Sequence, residues 1–151
     1  MSTVALTRDS FAETVTGPGI TLVDWWASWC GPCRMFAPVF DAASEQHADI
    51  TFGKVDTEDQ PELAGAAQIS SIPTLMAFRD GVMVFSQPGA LPAASLEKVI
   101  QAVRDLDMDA VRARLAEQEH AHAGHEHADH EHAEHEQHQH AEQEQPEHQE
   151  A

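Results

Sequence analysis

Cys30 and Cys33 are the only two cysteines of the 151-residue chain, and a Gly-Pro dipeptide separates them. Two thiols at this spacing can close into a small disulfide ring and reopen with little movement of the backbone. Attack on a disulfide needs a thiolate, whereas a cysteine with the ordinary pKa of about 8.5 is mostly protonated at neutral pH. Residues 35–43 carry apolar side chains at helical spacing, which places Cys30 at or just before a helix N-terminus, where the helix dipole favours negative charge. The pattern indicates thiol–disulfide exchange, with Cys30 attacking and Cys33 resolving the mixed disulfide.

A structural zinc site is the alternative use of a two-cysteine motif. Such a site needs four ligands, usually including a second Cys-x-x-Cys or a pair of histidines at fixed spacing. The chain has no further cysteine, and His47 is the one histidine before residue 120. A Cys-x-x-Cys motif in a βαβ context favours the redox interpretation.

The apolar pattern around the motif predicts a layered α/β domain. A continuous apolar run over residues 20–27 predicts a buried strand that leads into the cysteines. Further strands are predicted over residues 4–6, 50–55, 74–78 and 82–85, and further helices over residues 7–16, 61–68 and 91–106. Pro38 lies inside the helix that follows the cysteines and predicts a kink there. The order βαβαβαββα predicts a mixed central sheet flanked by helices, with a disordered C-terminal tail.

Six segments of this body occur together in an order that is highly specific. They are Val23-Asp24-Trp25-Trp26-Ala27, Trp29-Cys30-Gly31-Pro32-Cys33-Arg34-Met35, Ala37-Pro38, Lys54-Val55-Asp56, Ile72-Pro73-Thr74-Leu75 and Gly89-Ala90-Leu91. Over residues 4–106 the chain resembles the thioredoxin family. The resemblance implies a thioredoxin fold and a protein-disulfide reductase that requires no cofactor. Because the chain has no dinucleotide-binding fingerprint, we expect its electrons to come from a thioredoxin reductase and its substrates to be disulfide-containing proteins.

Asp24 and Lys54 are the candidate residues for proton transfer. A carboxylate within a buried apolar strand is costly unless it is paired or protonated. The resemblance implies that Asp24 lies beneath Cys33 and shuttles its proton, with Lys54 on the neighbouring strand as its charge partner. Without the resemblance, Asp24 also fits a residue that caps the next turn, and Lys54 fits a solvated strand lysine.

The resemblance further implies a substrate-binding surface beside the cysteines, formed by Trp29, Gly31, Pro32, Ile72, Pro73 and Gly89. A cis bond before Pro73 would face the cysteines, and Ile72 would offer its backbone groups to an extended substrate segment. Without the resemblance, a trans bond is the default for this proline and turn geometry explains Gly89.

The composition changes completely after Leu115. Residues 116–151 contain no Lys, Arg, Phe, Trp or branched aliphatic residue, but 11 acids and ten of the 11 histidines. With no apolar side chains to bury, the tail of residues 119–151 is predicted to be disordered. Three interpretations stay open: a solvated tail with no task, a pH-responsive segment, or a binding site for Zn, Ni or Cu. The candidate metal ligands are His120, His122, His125, His127, His130 and His132.

The predicted domain organisation has three parts: a redox domain of residues 1–106, a helical extension of residues 107–118 and a disordered tail of residues 119–151. Met108, Val111 and Leu115 have helical spacing, but the sequence does not decide whether they extend the preceding helix or form a separate one.

Charge and hydrophobicity exclude two kinds of partner. The net charge of −18 argues against nucleic acid, and no segment approaches the roughly 20 apolar residues that span a bilayer. With no secretory signal visible, we expect a cytoplasmic protein, where thiols are kept reduced, and a monomer. The alternative function is a metal-binding or metal-buffering protein that uses the histidine tail, with the redox domain as a carrier or co-chaperone.

Overall fold

The computed structural model describes residues 2–128, with side chains described for residues 2–119. Its elements follow the predicted order, with a further helix at the end. They are β1 (Thr3–Ala5), α1 (Arg8–Val15), β2 (Ile20–Trp26), α2 (Gly31–Gln46), β3 (Thr51–Asp56), α3 (Pro61–Ala66), β4 (Thr74–Arg79), β5 (Val82–Pro88), α4 (Ala93–Arg104) and α5 (Met108–Ala128).

The five strands form one mixed sheet in the order β1-β3-β2-β4-β5. Strand β3 is parallel to both β1 and β2, whereas β4 is antiparallel to β2 and β5. The mixed sheet predicted from the sequence is therefore confirmed. Strand β2 lies at the centre and is buried on both faces, which explains its continuous apolar run.

Alternation along β2 divides the core into two layers, because successive side chains point to opposite faces of a sheet. On one face Leu22 packs with Phe36 and Phe40 of α2 and with buried residues of α4. On the other face Val23 and Trp25 pack with Val55 and Met76. Asp24 continues the face of Leu22, so the fold places this carboxylate beneath α2.

The C-terminal end of α4 is tied to the sheet by Arg79. Its Nη1 donates hydrogen bonds to the carbonyl oxygens of Val103, Arg104 and Leu106 at 2.9, 3.1 and 2.7 Å. The last carbonyls of a helix have no intrahelical partner, so one guanidinium satisfies groups that would otherwise need water.

The chain divides into two compact units between Leu106 and Asp107. Asp107 begins the second unit as a capping residue, with its Oδ1 accepting hydrogen bonds from the N–H groups of Asp109 and Ala110. Helix α5 is thus a separate helix. It covers residues 108–118 of the predicted extension of residues 107–118 and continues to Ala128. Residues 129–151 of the predicted disordered tail lie outside the described residues, and the three-part division stays a prediction.

Candidate active site

The cysteine motif occupies the junction between β2 and α2. Cys30 is the N-cap of α2, with an extended backbone, and its sulfur accepts a hydrogen bond from the N–H of Cys33 at 3.2 Å. Pro32 lies in the first helical turn, where its missing N–H would have had no intrahelical partner. The two cysteines are joined as a disulfide, with their Cα atoms 5.2 Å apart. The structure therefore holds the pair in its oxidised state, at the helix end where a thiolate would be favoured.

Access to the two sulfurs differs. Both cysteine residues are buried, at 4% and 2% relative exposure for Cys30 and Cys33. Only Cys30, however, lines a groove of about 440 Å³ beside the motif. The groove continues along Trp29, Pro32, Thr57 and Ile72, among others. A partner lying in it would reach Cys30 first.

Trp29 forms one wall of this groove and is 64% exposed. Its indole Nε1 donates a hydrogen bond to Glu58 Oε1 at 2.6 Å. Glu58 was not among the predicted site residues. The sequence does contain a pattern that points to Glu58. Segments that follow parallel strands meet at one sheet edge, and Glu58 follows β3 just as Trp29 follows β2.

The loop before β4 forms the opposite side of the site. The Ile72–Pro73 peptide bond is cis, as the resemblance implied, and Pro73 is fully buried. The carbonyl oxygen of Ile72 lies 3.7 Å from the Cys30 sulfur. Next to it, the Pro73 carbonyl accepts a hydrogen bond from the N–H of Gly89 at 2.8 Å. Gly89 has φ +106 and open space around it, so its backbone conformation is what requires a glycine here.

Asp24 lies inside the protein at 0% exposure, and neither of its carboxyl oxygens has a hydrogen-bond partner among the described residues. Burial raises its pKa from 3.8 to about 7, because the charged form loses its hydration; Lys54 lowers the pKa and Asp41 raises it. An acid with this pKa exchanges a proton near neutral pH.

Lys54 stands opposite Asp24 in the register between β2 and β3. Its Nζ lies 5.1 Å from the centre of the Trp26 ring, a distance at which a cation is attracted to the aromatic face. The lysine acts on Asp24 through the electrostatic field rather than through a direct hydrogen bond.

The predicted metal ligands His120 to His132 lie outside the residues whose side chains the structure describes. Among residues 2–119 no group of three or more His, Cys, Asp or Glu side chains is arranged to hold a metal ion. Within the described chain, no helix is both long and apolar enough to cross a membrane.

The site combines a Cys-x-x-Cys disulfide at a helix N-terminus with a facing cis-proline and a buried carboxyl group. This combination defines a dithiol–disulfide exchange protein. The thioredoxin family model matches residues 2–102, and the chain belongs to the thioredoxin family. It is a protein-disulfide oxidoreductase that acts through the Cys30–Cys33 pair.

Individual relatives agree with this assignment. The chain is 58% identical over 123 residues to a putative thioredoxin 2 of Streptomyces coelicolor, covering 82% of this chain and 91% of the relative. It is 43% identical over 102 residues to a thioredoxin of Porphyra purpurea, covering 66% and 95%. Among solved structures, the thioredoxin of Malassezia sympodialis superposes with a TM-score of 0.62 at 31% identity, covering 67% of this chain and 90% of that one.

Proposed function

We propose that this protein reduces disulfides of other proteins, with Cys30 as the attacking sulfur and Cys33 as the resolving one. The observation that carries the assignment of roles is the groove, which Cys30 lines and Cys33 does not. In the reduced protein, the Cys30 thiolate attacks one sulfur of the substrate disulfide. The substrate S–S bond breaks, a mixed disulfide forms and the other substrate sulfur leaves as a thiolate.

The second step returns the substrate and oxidises the protein. Cys33 loses its thiol proton and attacks the Cys30 sulfur, which breaks the mixed disulfide and releases the second substrate thiolate. Two electrons have then passed from the protein dithiol to the substrate. The Cys30–Cys33 disulfide of the structure is the product of this sequence.

We propose that Asp24 accepts the proton of Cys33 in this second step. A general base works best when its pKa is near the working pH, and burial places the pKa of Asp24 at about 7. Lys54 limits the rise by stabilising the carboxylate from the neighbouring strand.

The proposed substrate surface is the groove together with the loop that faces it. Trp29, Gly31, Pro32 and Ile72 line the groove. Pro73 and Gly89 are joined by a backbone hydrogen bond beside it. A partner segment in extended conformation would pair with the backbone of Ile72, in the manner of strand addition.

The physiological setting is also a proposal. We infer that a thioredoxin reductase restores the dithiol, because the chain has no dinucleotide-binding fingerprint of its own. A reactive thiol pair suits a reducing compartment, which supports a cytoplasmic location. We also propose that the protein acts as a monomer, since the exchange as proposed needs only the Cys30–Cys33 pair and Asp24 of one chain.

We propose in addition that the histidine tail binds Zn, Ni or Cu ions. The support is its composition, since imidazoles two residues apart, with carboxylates interspersed among them, provide ligands that these metals accept. Titration of the full chain and of a chain ending at residue 115 with Zn²⁺, by calorimetry, tests this; equal heats from the two would contradict it.

The main function is tested by reduction of insulin, driven by NADPH and a thioredoxin reductase. The full chain should consume NADPH and precipitate the insulin B chain, whereas Cys30→Ser should do neither. Cys33→Ser should accumulate a mixed disulfide, since attack occurs but resolution does not. Accumulation of a mixed disulfide by Cys30→Ser, together with its absence in Cys33→Ser, would reverse the assigned roles.

A further inference from the structure

Asp41 is a second, partly buried carboxylate on the helix that carries the cysteine motif, and the mechanism described so far does not use it. It lies on α2, the helix that begins at the cysteines, two turns beyond Cys33. Its Oδ1 is buried and has no hydrogen-bond partner among the described residues. The hydroxyl of Ser44 donates to the Asp41 backbone carbonyl at 2.6 Å, so that neighbour does not satisfy the carboxylate. A buried acceptor without a partner is costly, and its presence needs an explanation.

The explanation lies in what surrounds Asp24. Strand β3 contributes the charge of Lys54, and α2, whose first turn carries Cys33, contributes the charge of Asp41. The residue that β4 places beside Asp24, Leu75, is apolar, as are the buried residues of α4 on this face. Two fixed charges of opposite sign therefore act on Asp24, one from the sheet and one from the helix.

These two charges oppose each other in their effect on the proton of Asp24. Lys54 stabilises the ionised carboxylate and lowers its pKa, whereas the Asp41 carboxylate repels it and raises its pKa. Interactions between charges are strong in a buried site, where little water screens them. With Asp41 neutral, Lys54 would act alone and Asp24 would become a weaker proton acceptor.

We propose that Asp41 is a positioning residue for the resolving step: acting through Asp24, its carboxylate sets the pH range in which Asp24 takes the proton of Cys33. The proposal rests on the function proposed above for Asp24. It assigns a task to the carboxylate on α2 and explains why a buried, unpaired oxygen is retained there.

The test removes the charge of Asp41 while keeping its shape, as Asp41→Asn. The reduced protein is mixed with an aromatic disulfide whose released thiolate is coloured. The first release of colour reports attack by Cys30, and the second reports resolution by Cys33. Across a pH series, the second step of Asp41→Asn should reach half its maximum at a pH lower than in the wild type, by on the order of half a unit. The first step should keep the wild-type profile.

A direct measurement accompanies the kinetics. Carbon NMR of the Asp24 carboxyl group in the oxidised protein should show the same displacement of its titration in Asp41→Asn. The variant Asp41→Glu keeps the charge and should restore the wild-type profile, which a merely structural role for Asp41 would not predict. If Asp41→Asn does not fold, Asp41→Ser removes the same charge and takes its place.

The matched control is Glu45→Gln, which removes one negative charge from an exposed position one turn further along α2. The proposal would be overturned if the pH profile of the second step and the Asp24 titration were the same in Asp41→Asn as in the wild type. It would also be overturned if they moved to higher pH in Asp41→Asn, or moved equally in Glu45→Gln. A wild-type protein that fails to release the second thiolate would instead refute the proposed function, and the NMR titration would still test the coupling of Asp41 to Asp24.

Discussion

Replacing Asp24 by Asn should stabilise the protein above neutral pH and leave its stability nearly unchanged in acid. The pKa of Asp24 is about 7 in the folded protein against 3.8 for the unperturbed group. Between these values the folded state keeps a proton that the unfolded state has lost. The slope of the unfolding free energy with pH is proportional to the number of protons bound in the unfolded state minus the number bound in the folded state. Because the folded state binds one more proton in this range, the slope is negative and stability falls as pH rises.

The size of this effect follows from the same two values. One pKa unit corresponds to about 1.4 kcal/mol, so the full displacement of Asp24 amounts to on the order of 4 kcal/mol. The loss begins near pH 4 and is complete once the pH exceeds the folded-state pKa of about 7. Asn cannot ionise, so the variant escapes the loss while retaining a buried polar group of similar shape.

The assay is urea unfolding of the oxidised proteins at a series of pH values between 4 and 9. The difference in unfolding free energy between Asp24→Asn and the wild type should increase through this range and level off above pH 7. Asp49→Asn is the control, because Arg104 holds the pKa of Asp49 at about 2 and its linkage therefore lies below this range. A difference for Asp24→Asn that is flat with pH, or that decreases as pH rises, would refute the reasoning.

Three other substitutions probe the groove, the end of α4 and the sheet. Glu58→Gln weakens the charge-assisted hydrogen bond to Trp29, and should raise KM for a protein disulfide about two- to five-fold with kcat unchanged, measured by insulin reduction. Arg79→Met removes the donor from three carbonyls and should lower the free energy of unfolding by about 1–3 kcal/mol in urea. Gly53→Ala places a methyl group against the buried Leu6 side chain and should cost about 1–3 kcal/mol by the same assay, less when combined with Leu6→Ala.

Each of these has a control of the same chemical type. Glu62→Gln removes a charge from an exposed position outside the groove lining and should leave KM unchanged. Lys98→Met removes an exposed cation from α4, and Gly65→Ala adds a methyl group where nothing lies within 4 Å. If a control changes its measurement as much as the matching test variant does, the contact named for that variant is not the cause.

The order and type of the first nine elements could be predicted because local patterns determine them. The apolar run of β2 and the helical spacing after Cys33 reflect burial in a central strand and a half-buried helix. Element ends were less accurate. The sequence predicts that residues 91 and 92 belong to the last helix of the domain, but α4 begins at Ala93, after Pro92 as its N-cap. Proline has no backbone N–H to donate to a longer helix, and its ring fixes its φ angle, so the helix begins directly after Pro92.

The parts of the site that depend on the identity of a residue could be predicted from the sequence. The parts that depend on how distant elements pack together could not. The spacing of Cys30 and Cys33 is visible in the sequence. The influence of Asp41 on Asp24 is not, because it depends on α2 crossing the face of β2 that carries Asp24. The hydrogen bond from Trp29 to Glu58 is an intermediate case: the parallel pairing of β2 and β3 indicates that the two following segments meet, but not which side chains form the bond.

The disulfide of α2 encloses only the two residues between its cysteines. A crosslink restricts the unfolded chain according to the length of the loop that it closes, so this one removes far less chain entropy than a crosslink between distant strands would. The two apolar layers lie one on each face of the sheet, and neither of them depends on the disulfide bond. The scaffold can therefore cycle between oxidation states many times while its tertiary architecture persists, so that each turnover alters sulfur chemistry without requiring the polypeptide to refold.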